Sequence, residues 1–172
     1  MENIDLYDID RKNLGIKLER GSKLPKDCYR AVIHICLMNS KGEMLIQQRD
    51  KSKKNFPSVW DITLGGCVQS GENSRQAAKR ELFEELGIEY DFSSTRPAFT
   101  INFADGYDDY YIIKKDVDIK DVKFNDGEVQ ACKWASEDEI IDMINSGKFI
   151  KYHIPLIEMI FRFKDNMNAF NV

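Results

Sequence analysis

The sequence predicts an α+β protein, with an α/β/α sandwich as its layered form. Strand-like runs are mixed with three helix signatures, and no regular β–α–β alternation orders them. A length of 172 residues fits one domain with room for a sizeable core. Nothing in the chain looks like a linker, so the expected plan is one domain over 1–172. It would have an N-terminal hairpin over 1–27, a core over 28–135 and C-terminal helices over 136–166.

The elements follow from local chemistry. Residues 4–9 and 15–18 alternate apolar and polar about a polar turn, the pattern of a small hairpin. The run YRAVIHICLM, 29–38, is β-branched and apolar and reads as a buried strand. Asn39-Ser40-Lys41-Gly42 is a turn, and 44–48 is the returning strand. A basic loop ends at Pro57, and 60–68 reads as further extended chain containing Gly65-Gly66. The clearest helix spans 73–86, with Gly87 as its stop. Strands are expected over 97–103, 107–118 and 128–135. Ser136-x-x-Glu139 is a capping box opening a helix that ends near Gly147, and Pro155 opens a last helix to about residue 165. That helix carries Ile157, Met159, Ile160 and Phe161, so it closes the core or makes a homodimer contact.

Composition narrows the functional classes. There are 25 Lys+Arg and 29 Asp+Glu, giving a net charge of −4, and the pI is near 5.3. A nucleic-acid or anionic-membrane partner needs a basic face, and neither is expected. No apolar run approaches a membrane span, and the first residues lack the pattern of a secretory signal. Cys28, Cys36, Cys67 and Cys132 have no C-x-x-C spacing, and His34 and His153 are the only histidines. This excludes a recognisable zinc motif and points to reduced thiols in a cytoplasmic protein.

On the helix over 73–86, Glu81, Glu84 and Glu85 fall within an arc of about 100°. Ala78, Leu82 and Leu86 form the adjoining apolar stripe. Like charges at these spacings repel, and a hard divalent cation such as Mg²⁺ or Mn²⁺ would relieve them. A solvated acidic face is the simpler alternative from three glutamates alone.

The surrounding spacing decides between them. From Gly66 the chain reads G-x5-E-x7-R-E-L-x-E-E-x-G-I, carried by Gly66, Glu72, Arg80, Glu81, Leu82, Glu84, Glu85, Gly87 and Ile88. This segment resembles the signature of the Nudix hydrolases at every defined position. The resemblance implies the Nudix fold, a mixed sheet between helices. It also implies a metal bound by Glu81, Glu84 and Glu85 with help from the Gly65 carbonyl. Gly66, Glu72, Arg80 and Gly87 would be structural or orienting. The implied reaction is attack of water on a small-molecule diphosphate joined to a group X, with one carboxylate as base. Glu81 is the favoured base, and Glu85 and Glu128 are the other candidates.

A narrower likeness extends over 7–134. R-D-K-S-K-K-N-F-P-S-V-W, 49–60, resembles a run of the isopentenyl-diphosphate isomerases whose Arg and first paired Lys hold the diphosphate; Arg49 and Lys53 match. Glu128-Val129 followed by Trp134 resembles a strand of the same branch. Yet Gly65 stands at the isomerase's catalytic cysteine, and Cys67 at a metal-binding histidine. Tyr29 and Ser22 stand at two further histidine positions, while Asp108-Asp109 replaces an E-x-E pair. The departures favour hydrolysis over isomerisation. A non-catalytic nucleotide-binding module is the remaining alternative. The identity of X stays open, with a nucleoside diphosphate derivative as the expectation. Tyr29 is expected to line the pocket. Phe103, Tyr107, Tyr110 and Tyr111 either stack on a base or face the core.

Overall fold

The computed structural model describes residues 2–125, 127–165, 167–168 and 170; residue 166, the expected end of the C-terminal region, lies outside them. Among the described residues the strands are β1 (Asn3–Tyr7), β2 (Asn13–Glu19), β3 (Arg30–Met38), β4 (Met44–Arg49), β5 (Trp60–Asp61) and β6 (Leu64–Cys67). Helix α1 (Ser74–Leu86) follows, then β7 (Phe99–Phe103), β8 (Gly106–Lys114), β9 (Val129–Ala135), α2 (Glu137–Asn145) and α3 (Ile154–Phe163).

The apolar run at 29–38 becomes the centre of a mixed seven-stranded sheet. β3 runs parallel to β8 from Arg30↔Gly106 to Met38↔Lys114. Its other edge is shared. The first part pairs antiparallel with β6, through Val32↔Cys67 to Ile35↔Leu64, and only Met38↔Met44 joins it to β4. β4 in turn carries β5 and β9, and β7 lies antiparallel on β8. β1 and β2 form their own hairpin sheet, tied on by the Tyr7↔Tyr29 bridge.

Alternation along β3 sorts its side chains into two layers. Ala31, Ile33, Ile35 and Leu37 pack with Ala77, Ala78, Leu82 and Leu86 of α1. Cys36 and Met38 pack with Ile140, Met143 and Ile144 of α2 and with Ile157, Ile160 and Phe161 of α3. Burial on both faces explains the unbroken apolar run. α3 spends its apolar face on this second layer, so the face needs no dimer contact to cover it.

Local expectations fail where tertiary bonds intervene. The extended stretch at 60–68 is two strands, because buried Thr63 leaves the ladder to stitch the gap between β3 and β4. Its hydroxyl donates to the Leu45 carbonyl at 2.6 Å and accepts from the Leu37 N–H at 2.8 Å. β8 ends at Lys114, short of 118. Beyond it, Asp116 accepts from the Ser40 N–H at 2.8 Å, and Asp118 caps a 3-10 turn (Ile119–Asp121). Ser136 caps α2 by accepting from the Glu139 N–H at 3.2 Å, but the Glu139 carboxylate turns to Lys133.

Candidate active site

The local sequence of α1 fixes both of its ends. Asn73 accepts from the Gln76 N–H at 3.0 Å, and Gln76 accepts from the Asn73 N–H at 2.8 Å, closing a capping box. Gly87 ends the helix in the left-handed region at φ 66°, where its N–H donates to Phe83 and that of Ile88 to Leu82. Both ends of the helix are thereby fixed.

Its acidic arc borders the core as the spacing predicts. Glu81 and Glu85 are buried, whereas the Glu84 side chain is half exposed. Glu81 rests on the strand at Gly66, where an added Cβ would lie 2.3 Å from its Cδ and Oε1. Only a residue without a side chain allows that approach. Burial pushes the Glu81 pKa up to about 7, against the pull of Arg80 and with a further push from Glu84.

Arg80 collects three carboxylates. Its Nε and Nη2 donate to Glu72 at 2.8 and 2.9 Å, and its Nη1 lies 2.9 Å from Glu81 and 3.0 Å from Glu84. Nη2 also donates to the Cys67 carbonyl at 3.2 Å, tying the helix to β6. The two-pronged contact with Glu72 matches the planar guanidinium.

A second group lies at the end of β4. Arg49 donates from Nε to the Asn55 carbonyl at 3.2 Å, and its Nη1 is 3.8 Å from Asp61. Lys53 pairs with Glu128 at 2.6 Å, and the Asp50 N–H donates to the Glu128 carbonyl at 2.8 Å. These bonds fold the basic loop against β9. Val129, the next residue, is buried in the same layer as Leu82 and Leu86.

The sequence singles out neither His34 nor Asp61 as a functional group, and it raises Asp108 only as half of a replaced pair. His34 Nδ1 lies 2.7 Å from the Asp108 carboxylate, and its ring sits against Gly65. Burial alone would lower its pKa; the hydrogen bond and charge of Asp108 reverse this and raise it. The legible signal was a polar ring in the middle of an apolar strand. Arg20, paired with Glu2, also adds positive charge near Glu81.

Other candidates are placed elsewhere. Tyr29 lines a cleft of about 320 Å³ with Arg11, Phe103 and Tyr107, and none of the α1 carboxylates borders that cleft. Tyr111 is buried in the α1 layer with its hydroxyl 2.8 Å from the Ser74 hydroxyl. Cys67 packs with Ile4 and Leu6, and burial raises its thiol pKa despite Arg20 and Arg30. Among the described residues, no three His, Cys, Asp or Glu side chains converge into a ready cation site. Arg80 instead occupies Glu81 and Glu84.

Comparison with known proteins identifies the family and the fold. The family model of the NUDIX domain matches residues 29–156. An uncharacterised Nudix hydrolase of Listeria monocytogenes is 41% identical over 152 residues, covering 88% of this chain and 90% of its own. A crystal structure of a Deinococcus radiodurans protein superposes with a TM-score of 0.73 at 26% identity, covering 94% of this chain and 98% of that one. An isopentenyl-diphosphate Delta-isomerase of Pectobacterium atrosepticum is 26% identical over 150 residues, covering 81% and 79%. That likeness fits the branch suggested by the basic loop. The chain belongs to the Nudix hydrolase family.

Proposed function

We propose that the protein is a divalent-metal-dependent hydrolase of a nucleoside diphosphate derivative or a related small molecule, with water attacking phosphorus. The family supports diphosphate hydrolysis in general. The finer reading rests on one observation: two carboxylates of one α1 face, Glu81 and Glu85, are buried, Glu81 against the glycine strand, and burial disfavours the charge on Glu81.

The donor set suits a hard cation. Glu81, Glu84 and Glu85 are oxygen ligands on one arc, and Glu81 would gain charge compensation from an ion. These residues, with the Gly65 carbonyl, would hold Mg²⁺ or Mn²⁺. A bound ion supplies Lewis-acid polarisation of the phosphoryl oxygens and a lowered pKa for water. Glu81 is the favoured group to take the proton from the water as its oxygen bonds to phosphorus. The bridging P–O bond then breaks and its electron pair leaves with the departing phosphate. Arg49 and Lys53 hold the diphosphate, and Glu72 fixes Arg80, which orients Glu81 and Glu84.

Isomerisation is disfavoured by the strand itself. The catalytic thiol would stand at residue 65, where a Cβ would lie 2.6 Å from the His34 ring. Cys67, two residues further on, is buried in the hairpin core. The test is a panel of nucleoside diphosphates, triphosphates, nucleotide sugars and prenyl diphosphates with Mg²⁺ or Mn²⁺. Product release from a nucleoside class, with no isomer formed from prenyl diphosphate, is the expected result. Metal-dependent binding of a nucleotide without turnover would replace the hydrolase with a binding module.

A further inference from the structure

Beside the acidic arc lies a second polar cluster on the opposite face of β6. Consecutive strand residues face opposite ways. Gly66 leaves room for Glu81, and Gly65 leaves room for His34, whose Cδ2 and Nε2 would each be 2.6 Å from a Cβ placed there. With Nδ1 committed to Asp108 at 2.7 Å, the Nε2 edge is the part of the ring turned toward the Gly65 gap. The ring stacks on Tyr110 at 4.9 Å, and Tyr110 stacks on Phe99 at 4.8 Å. Tyr152 meets His34 edge-on at 6.4 Å and donates its hydroxyl to Asp61 at 2.8 Å. Asp61 in turn lies 3.8 Å from Arg49.

The cluster thus runs from Arg49 through Asp61 and Tyr152 to His34 and Asp108, ending beneath Gly65. The two ends are groups given to the diphosphate and its metal in the proposed site, so the cluster borders the place where X would join the diphosphate. Stability does not account for the cluster. Asp61 and Asp108 are both buried, burial holds Asp61 above the usual carboxylate range, and an apolar set of similar volume would do as well or better. The His34 and Asp108 side chains nonetheless keep 17% and 12% of their surface exposed, and a partly exposed imidazole–carboxylate pair is chemistry suited to recognition.

We infer that His34 and Asp108, supported by Asp61 and Tyr152, form the subsite that reads the group X. The subsite selects an X bearing hydroxyl or amine donors, such as the ribosyl or base portion of a nucleoside, over a hydrocarbon chain. A hydrocarbon would cover the partly exposed edge of the His34–Asp108 pair without bonding to it, and sites built to bond polar groups reject such analogues strongly. The inference rests on the reading of Arg49 and the α1 carboxylates as the diphosphate site.

The test uses the full chain with Mg²⁺ and needs no turnover. His34 and His153 are the only histidines, so ring NMR signals are assigned by the single variant His34→Gln. Three ligands are titrated, with calorimetry to report binding: α,β-methylene-ADP, bare methylenediphosphonate and geranyl methylenediphosphonate. The expected result is a saturable shift of the His34 signals with α,β-methylene-ADP alone, while His153 stays fixed. An equal shift with methylenediphosphonate would mean that His34 reads the diphosphate, and an equal shift with the geranyl compound would remove the selectivity; either overturns the inference. Binding of α,β-methylene-ADP without a His34 shift also overturns it and leaves the diphosphate site standing. Binding of none of the three overturns that site and the inference together. Asp108→Asn, which keeps an acceptor for the ring, is expected to raise KM for the nucleotide about 10- to 100-fold with kcat nearly unchanged. Equal KM values would count against it.

Discussion

Replacing Glu81 by Gln in metal-free protein tests the energetic state of the site directly. Folding raises the pKa of Glu81 from 4.5 to about 7, a net shift that already includes the attraction of Arg80. A raised carboxylate pKa means that the folded state binds the proton more tightly than the unfolded chain. The stability this gives is full below pH 4.5 and is lost as pH rises through 7. At 1.36 kcal/mol per unit, the wild type is weakened by about 3 kcal/mol at pH 8 relative to pH 4 through this group. Gln cannot ionise, so Glu81→Gln is expected to be more stable than wild type at pH 8 by up to about 3 kcal/mol. The advantage falls to under about 1 kcal/mol at pH 5. Urea unfolding in EDTA at the two pH values measures it. A variant that is less stable by the same amount at both pH values would refute the argument, because the ion pair with Arg80 would then outweigh burial.

Gly66→Ala should push the Glu81 carboxyl off the strand, since its Cβ would fall 2.3 Å from it; loss of activity in a variant that still melts cooperatively, against an unaffected surface control, checks it. Arg80→Lys keeps the charge but cannot span Glu72, Glu81 and Glu84 together, and a loss of about 1–3 kcal/mol is expected by thermal melting. Thiol titration of the native protein should modify the partly exposed Cys28 and Cys132 first. Cys36 is fully buried with its pKa raised by burial, and should react only on unfolding.

How much of this was legible depends on how far each bond reaches along the chain. Helix α1 was readable because Asn73, Gly87 and the 3.6-residue period all lie within one segment. The acidic arc followed from the same geometry. Thr63 was not readable as a strand break, since its hydroxyl bonds to Leu37 and Leu45 across two other strands. His34 shows the limit most clearly. Period-two alternation turns it away from Ile33 and Ile35, but its partner Asp108 is 74 residues distant and arrives only through the parallel pairing of β3 with β8. The aromatic residues of β7 and β8 were readable as a set but not by role. Tyr110 stacks on His34, Tyr111 fills the other layer, and Phe103 and Tyr107 face the cleft with Tyr29.

The central claim is that the carboxylates of α1 make this chain a metal-dependent diphosphate hydrolase. It is tested most directly by initial rates on the best substrate of the panel against free Mg²⁺, for wild type and Glu85→Gln. The account predicts no turnover in EDTA, saturable activation by Mg²⁺, and a loss of about 10²-fold or more in the folded variant. Turnover that survives EDTA, or a Glu85→Gln enzyme as fast as wild type, would contradict it.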